Sequence, residues 1–256
     1  MRFIDLSAPI RPDDDPELLD ALRTDVEFMT HAEGAHQIEA LFGVRAGDLR
    51  DGEGWATDTF TRFGTHNSTH VDAPWHYNST IGGRPAKRID ELPLEWFHAP
   101  GVRLDFTHKA DGDAVTAEQL ADALDRAGHD LRALDIVLVH TGRDAFYGQR
   151  DYMGRGPGVT AEATRWLHER GVRVMGIDAW GWDRPLHLQA ADAVAGTGRF
   201  WEAHQAGLEY SQIERLCNLG ALPATGFVVS CFPLRLVGGS AAPARVVALG
   251  PETPEV

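Results

Sequence analysis

Four side chains of types that commonly bind metal ions occur within one short stretch of the sequence. They are His66, His70, Asp72 and His76, and the offsets between them are all even. Successive side chains of an extended chain point to opposite faces, so this spacing predicts that His66, His70 and Asp72 project to one side of a strand. A helix would turn Asp72 away from the two histidines. We expect Pro74 to end the strand and to bend His76 back toward the other three side chains.

Imidazoles and a carboxylate in this pattern suit Zn²⁺, Mn²⁺ or a similar divalent cation. When bound, such a cation increases the acidity of water and polarises a carbonyl oxygen. An ordinary imidazole has a pKa of about 6.5, so a histidine held beside the metal, such as His76, can take a proton from the water and return it to the departing nitrogen or oxygen. Hydrolysis of an amide, imide or lactone fits these roles. The alternative for any one histidine is a solvated strand face or a hydrogen-bonded turn.

Other nucleophiles are not indicated by the sequence. It contains no Gly-x-Ser-x-Gly motif of the kind that presents a catalytic serine. Its two cysteines, Cys217 and Cys231, lie in segments that resemble core, and we interpret them as buried free thiols. Activated water is therefore the expected nucleophile.

The order of the predicted elements indicates a mixed α/β fold. Thr116 and Gln119 form a capping-box pattern at the start of a helix that ends before Gly128, and a strand over Asp135–His140 follows. The same order recurs later, which predicts a mixed β-sheet with flanking helices. The other predicted elements are a helix over Ala161–Arg170, strands over Phe3–Ser7, Trp55–Phe63, Val172–Asp178, Gly226–Phe232 and Arg245–Leu249, a helix over Pro16–Arg23, and a short helical or irregular segment over Tyr210–Leu216.

Length, composition and charge restrict the class of protein. The chain has 256 residues, 43% of them hydrophobic, and its formal net charge is −14. We expect one compact domain over residues 1–256, in which residues 11–60 cover the pocket. The negative charge disfavours nucleic acid and anionic membranes as partners, so a small molecule is the expected partner. No segment approaches the roughly 20 apolar residues of a membrane span, and we expect a cytoplasmic protein.

The segment from His66 to His76 reads HNSTHVDAPWH. It resembles the motif HxGTHxDxPxH of the cyclase family, which includes bacterial kynurenine formamidases and isatin hydrolases. The chain departs from that motif at Ser68, where the family usually has glycine, and the local backbone conformation is therefore open. Later segments, including Gly176–Ala179 and Asn218–Pro223, also resemble the family. The resemblance implies a single domain of the swivelling β/β/α type.

The resemblance also implies roles for individual residues. It assigns metal ligation to His66, His70, Asp72, His204 and Glu214. In that arrangement Asp72 bridges two ions, His76 is the proton donor and acceptor, and one or two Zn or Mn ions are bound per subunit. Relatives are commonly dimers or tetramers, so a homo-oligomer is expected. Two alternatives remain open, because Glu214 could be an exposed helix carboxylate and His204 could be a core or surface histidine.

Aromatic residues near the motif could form the walls of a substrate pocket. Trp75, Trp180 and Trp182 are candidates for stacking against a flat, cyclic or aromatic substrate, and core packing is the alternative for each. The glycine-rich segment Gly154–Gly158 lacks the ending of a phosphate-binding loop and is interpreted as a turn.

Three functional hypotheses remain after these observations. The first is a metal-dependent hydrolase of an amide, imide or lactone. The second is a polyketide ring cyclase of antibiotic biosynthesis, in which the metal would polarise a ketone and His76 would move the enolising proton. The third is a structural or regulatory metal-binding module without catalysis.

Overall fold

The computed structural model describes residues 1–12 and 22–250. The chain divides into two compact units, of which the first comprises Met1–Pro9 with Ser68–Val256 and the second comprises Ile10–Asn67. The helix predicted over Pro16–Arg23 lies largely outside the described residues. The proposed single domain, the covering role of residues 11–60 and the oligomeric state stay predictions.

The described residues form fifteen strands and five α-helices. The strands are β1 (Arg2–Asp5), β2 (Thr24–Met29), β3 (Thr57–Phe63), β4 (His70–Asp72), β5 (Thr80–Ile81), β6 (Arg84–Pro85), β7 (His98–Asp105), β8 (Ala114–Val115), β9 (Ile136–His140), β10 (Gly158–Val159), β11 (Val174–Ile177), β12 (Ser211–Glu214), β13 (Phe227–Ser230), β14 (Ala241–Pro243) and β15 (Val247–Gly250). The helices are α1 (His31–Phe42), α2 (Pro74–Tyr77), α3 (Ala117–Ala127), α4 (Ala161–Glu169) and α5 (Leu186–Ala195).

The first unit is built on one mixed sheet of nine strands, in the order β1-β15-β13-β7-β9-β11-β12-β4-β14. The central strands β7, β9, β11 and β12 are parallel to one another. The strands on both sides of them pair antiparallel. This mixed sheet with flanking helices is the predicted fold class, which is thereby confirmed.

The central strand β9 shows why the sheet is buried on both faces. Ile136 and Leu138 pack in one apolar cluster, and Val137 and Val139 pack in another. All four side chains are fully buried. A strand that is covered on both faces has a continuous run of apolar residues, and this run predicts the strand from the sequence.

Helix α3 forms as its sequence predicts. Thr116 and Gln119 make the capping box, and Gly128 ends the helix in the left-handed conformation. Leu120 and Leu124 are buried in the same cluster as Val137 of the sheet. Local capping signals and the apolar face therefore agree with the tertiary packing.

The prediction for Tyr210–Leu216 was wrong, because Ser211–Glu214 forms strand β12. All four of its residues are buried, and the strand is parallel to β11. The side chains of Ser211, Gln212 and Glu214 are polar, so no apolar alternation marks this strand. A distant residue also supports the strand, since the backbone N–H of Gln212 donates to the Tyr77 hydroxyl at 3.0 Å.

The second unit contains the antiparallel ribbon of β2 and β3 and helix α1. The strand predicted over Trp55–Phe63 corresponds to β3. Helix α1 was not predicted, although Thr30 and Glu33 form a capping box at its start and Gly43 ends it in the left-handed conformation. No helix in residues 1–12 and 22–250 is long and apolar enough to cross a membrane.

Candidate functional site

Three ligand-type side chains meet where strands β4 and β12 pair in antiparallel fashion. His70 is directly opposite Glu214 in the register, and Asp72 lies two residues along β4 on the same face. The Nε2 atom of His70 is 3.3 Å from Oδ1 of Asp72 and 3.7 Å from Oε2 of Glu214. One ligand atom from each of the three residues lies within 4.8 Å of the others. His70 and Asp72 are fully buried and Glu214 is 7% exposed, so this is an enclosed site.

The orientation of His70 is determined by the backbone. Its Nδ1 lies 3.0 Å from the carbonyl oxygen of Ser68, which can only accept a hydrogen bond, so Nδ1 carries the hydrogen. In the neutral ring the lone pair is then on Nε2, directed toward the two carboxylates. A lone pair and two carboxylates at these distances repel one another unless a cation or proton lies among them. The nitrogen and oxygen donors therefore fit a divalent cation.

His204 connects a third carboxylate to the same site. Its Nδ1 is 2.5 Å from Oδ2 of Asp183, and its Nε2 is 3.5 Å from Oε1 of Glu214. Asp183 also accepts the backbone N–H groups of Ala203 and His204. Burial alone would lower the pKa of His204, but the hydrogen bonds and charges of Asp183 and Glu214 raise this pKa to about 10. A carboxylate on one ring nitrogen is the usual arrangement behind a histidine that binds metal through the other.

Glu214 is held as a carboxylate although it is buried. Burial raises its pKa and the nearby charge of Asp72 does the same, but interactions led by the hydrogen bond from His204 outweigh both, and the pKa of Glu214 is lowered. The backbone N–H of Trp182 also donates to Oε1 of Glu214, at 3.0 Å. Glu214 is therefore not the exposed helix carboxylate that was the alternative, because it is buried on strand β12. Its role as a metal ligand stays a prediction.

His76 is placed by the turn that Pro74 begins. Strand β4 ends at Asp72, and Pro74 is the first residue of the one-turn helix α2, as the sequence predicts. The His76 ring is half-buried, with its centroid 5.9 Å from that of His204 and 5.0 Å from that of Trp201. Trp201 stacks on His204 at 4.4 Å. His76 is therefore beside the ligand cluster and retains access to solvent.

The expected extended conformation does not reach His66. The strand begins at His70, and residues 65–69 form turns and bends in which Ser68 has φ 56°. His66 is half-buried and belongs to the second unit. The alternation of faces therefore does not apply to His66, and its role as a metal ligand stays a prediction.

The three tryptophans that were candidates for the pocket lie in different surroundings. Trp182 is fully buried in the core, and its Nε1–H donates to Oγ1 of Thr164 at 2.9 Å. Its ring therefore packs in the core, and its contact with the site is the backbone N–H on Glu214. Trp75 and Trp180 are half-buried, and guanidinium groups lie over both rings. A substrate-binding role for these two stays a prediction.

Sequence reasoning missed two residues at the site, Trp201 and Arg215. Both have left-handed backbones, with φ of 64° and 58°. Such conformations are uncommon for residues other than glycine and cluster at functional sites. Neither Trp nor Arg favours this conformation, so no local signal in the sequence predicts it.

Comparisons with known proteins identify the family to which the chain belongs. The model of the family described as putative cyclase matches residues 4–184. The chain belongs to this family. It is 27% identical over 203 residues to an isatin hydrolase of Roseibium aggregatum, covering 74% of this chain and 73% of that protein. It is 29% identical over 189 residues to a kynurenine formamidase of Salinibacter ruber, covering 73% and 76%.

Solved structures of similar proteins share the fold of this chain. Isatin hydrolase A from Labrenzia aggregata, bound to benzyl benzoate, is 26% identical with a TM-score of 0.72, covering 98% of this chain and 94% of that chain. A structure described as a potential metal-dependent hydrolase with cyclase activity is 25% identical with a TM-score of 0.60, covering 98% and 99%. The predicted family and the predicted class, an enzyme of the metal-dependent hydrolase type, are confirmed by these relatives.

Proposed function

We propose that this enzyme hydrolyses the C–N bond of a cyclic or aromatic amide or imide, or the acyl C–O bond of a lactone. The proposed metal ligands are His66, His70, Asp72, His204 and Glu214, and the proposed proton carrier is His76. The observation that carries the proposal is the buried meeting of His70, Asp72 and Glu214, whose ligand atoms lie within 4.8 Å of one another. Similarity to proteins described as isatin hydrolase and kynurenine formamidase supports the type of substrate.

The donor atoms suit Zn²⁺ or Mn²⁺, and the proposal covers one or two ions per chain. When bound, such a cation increases the acidity of water and polarises the carbonyl that is attacked. The chain's own residues prepare the site for it. The carbonyl of Ser68 holds Nδ1–H of His70, so that the Nε2 lone pair faces inward. Asp183 holds Nδ1–H of His204, whose Nε2 must lose its proton before it binds a cation.

His76 is proposed to move the proton. One of its imidazole nitrogens accepts a proton from the attacking water, and the ring then donates it to the departing nitrogen or oxygen. Trp201, edge-on to His76 and stacked on His204, restricts the positions that the His76 ring can take. The solvent access of His76 supports this role, because the ring must reach both water and substrate.

The test is hydrolysis of isatin, N-formylkynurenine and simple lactones by purified protein with and without a chelator. The His76→Asn variant should lose about 10²- to 10⁴-fold in kcat while its metal content is unchanged. The matched control is His108→Asn, since His108 is an exposed histidine in another part of the first unit. Turnover that a chelator does not affect, or full activity of His76→Asn, would refute the proposal.

Ring closure is a second candidate, favoured by the description of one similar structure as a hydrolase with cyclase activity. The same site would serve a polyketide cyclase, with a ketone polarised and the enolising proton moved by His76. The two candidates differ in product, because hydrolysis incorporates one oxygen atom from water. Mass spectrometry of the product from each substrate type separates them, since hydrolysis adds one molecule of water to the substrate and ring closure adds none.

A further inference from the structure

Arg215 is a buried cation directly after Glu214 in the chain. Its exposure is 6%, and its backbone has a left-handed φ of 58°. Two hydrogen bonds fix that backbone, because its N–H donates to the carbonyl of Ala179 and its own carbonyl accepts from Oγ1 of Thr69 at 2.6 Å. The direction in which the Arg215 side chain leaves the backbone is therefore fixed by the fold.

The guanidinium of Arg215 lies on Trp180. Its central carbon is 3.6 Å from the centroid of the ring, and its Nε–H donates to the Trp180 carbonyl at 3.4 Å. Among the residues that the structure describes, no carboxylate oxygen lies within 4.0 Å of this guanidinium, and Nε forms its hydrogen bond. The two terminal nitrogens, which carry four of the five N–H donors, are left for another acceptor.

Arg170 provides a direct comparison within the same unit. Its guanidinium lies 3.7 Å above the ring of Trp166 and donates to the carbonyl of that same tryptophan. The residue is exposed, so its charged end remains in water. Arg215 has the same stacking and the same type of backbone contact, but it is buried. Removing a guanidinium from water without an ion pair is costly, so a buried arginine of this kind calls for an anionic partner.

The location of Arg215 identifies which partner it can reach. Glu214 accepts the backbone N–H of Trp182, and Arg215 donates to the carbonyl of Trp180, so both side chains contact the segment 180–182. Consecutive residues of a strand normally point to opposite faces, and the left-handed backbone at Arg215 breaks that alternation. The guanidinium therefore lies on the same segment, 180–182, that the candidate metal ligand Glu214 contacts, and the proposed function places the reacting group of the substrate beside Glu214.

We propose that Arg215 binds a carboxylate group of the substrate, and that the enzyme therefore selects an anionic amide, imide or lactone over its neutral analogue. The inference rests on the proposed hydrolase function. A planar guanidinium matches a carboxylate with two parallel hydrogen bonds, and its stacking on Trp180 leaves the edge with the terminal nitrogens available for this contact. Arg215 is in this proposal a specificity-determining residue.

The test compares two substrates that share the same formamide bond, 2-formamidobenzoate and 2-formamidobenzamide. The metal-loaded wild-type enzyme should prefer the acid. Arg215→Met should reduce kcat/KM for the acid by about 30- to 100-fold and change kcat/KM for the amide by less than about threefold. Arg170→Met is the matched control and should change neither. Metal content is measured in all three proteins.

An equal loss for both substrates, or a fall in metal content, would overturn the proposal, because Arg215 would then only balance the charge of the buried carboxylates. If Arg215→Met fails to fold, Arg215→Lys replaces it, since lysine keeps the charge but lacks the planar pair of donors. Lysine should lower the ratio of acid to amide turnover about tenfold, and an unchanged ratio in that variant would also overturn the proposal.

Binding separates this proposal from the hydrolase function. Titration calorimetry of the metal-loaded protein with benzoate and benzamide should give tighter binding of benzoate, and Arg215→Met should abolish the difference. If that is observed while neither formamide is hydrolysed, the proposed function fails for formamides and the role of Arg215 stands. If both formamides are hydrolysed alike and benzoate binds no better than benzamide, the role of Arg215 fails and the hydrolase stands.

Discussion

Replacing Ser68 by alanine or by glycine separates two opposing contributions to the stability of the segment that carries the metal ligands. Ser68 has a left-handed backbone with φ 56°, and its Oγ–H donates to the carbonyl of Ala8 at 2.9 Å. Both substitutions remove this buried hydrogen bond, at a cost of about 1–3 kcal/mol. Alanine keeps the left-handed strain of about 1–2 kcal/mol, whereas glycine relieves it.

Glycine also makes the unfolded chain more flexible, which costs about 0.4–1 kcal/mol relative to alanine. Once this cost is subtracted from the relieved strain, Ser68→Gly should be more stable than Ser68→Ala by about 0.8 kcal/mol at mid-range and by about 1.6 kcal/mol at most. Urea unfolding of the two variants measures it, and thermal melts should differ by about 1–4 °C. Both variants keep the Ser68 carbonyl, so neither should lose the orientation of His70.

Ser7 is the matched control for this experiment. Its hydroxyl accepts the backbone N–H of Val246 at 2.7 Å, and its φ is not positive. There the order should reverse, with Ser7→Ala more stable than Ser7→Gly by about 0.5–1 kcal/mol. If alanine equals or exceeds glycine at position 68 as well, the reasoning about the backbone at Ser68 is refuted.

The remaining predictions concern other buried or paired groups. Asp183→Asn should weaken metal binding about 10- to 100-fold by releasing His204, and an unchanged dissociation constant in a metal titration would exclude that role. Burial, together with nearby acidic charges, raises the pKa of Cys217 to about 11. Ellman's reagent at pH 8 should therefore label this thiol slowly and leave activity unchanged. Rapid labelling with inactivation would contradict this prediction. Burial opposes ionisation of Asp111, but the bond from Arg143 and other donors lowers its pKa to about 2. A lowered carboxyl pKa stabilises the fold above the unfolded value of about 3.9, and that contribution is lost as pH falls toward 2. Asp111→Asn should therefore cost about 1–2 kcal/mol at pH 7, after discounting for solvent, and little at pH 2; an equal cost at both pH values would refute the assignment.

Elements with strong local signals could be predicted from the sequence. The apolar run of β9 and the capping box of α3 are local features, and the structure contains both elements. Strand β12 has no such signal, because three of its four buried residues are polar, and its burial depends on pairing with β11 and β4, which are distant in the chain. Helix α1 has capping residues at both ends, but its amphipathic pattern is too weak to predict a helix from the sequence.

Some residues of the candidate site are likewise placed by local sequence, and others by contacts between distant parts of the chain. The spacing of His70 and Asp72, with Pro74 after them, is local, and the structure keeps both on β4 before a turn. The approach of Glu214 depends on the pairing of β4 with β12, which residues far apart in the sequence determine. Only the family resemblance indicated Glu214. The left-handed backbone of Trp201 is imposed by the tertiary structure, and nothing in the local sequence indicates it.

Metal content measured together with activity tests the central claim most directly. Elemental analysis of freshly purified, active protein should find at least one Zn or Mn ion per chain. Asp72→Asn should lose both metal and turnover, while Asp105→Asn, at an exposed carboxylate, should keep both. Active enzyme without stoichiometric metal, or an Asp72→Asn variant with wild-type metal content and activity, would contradict the account.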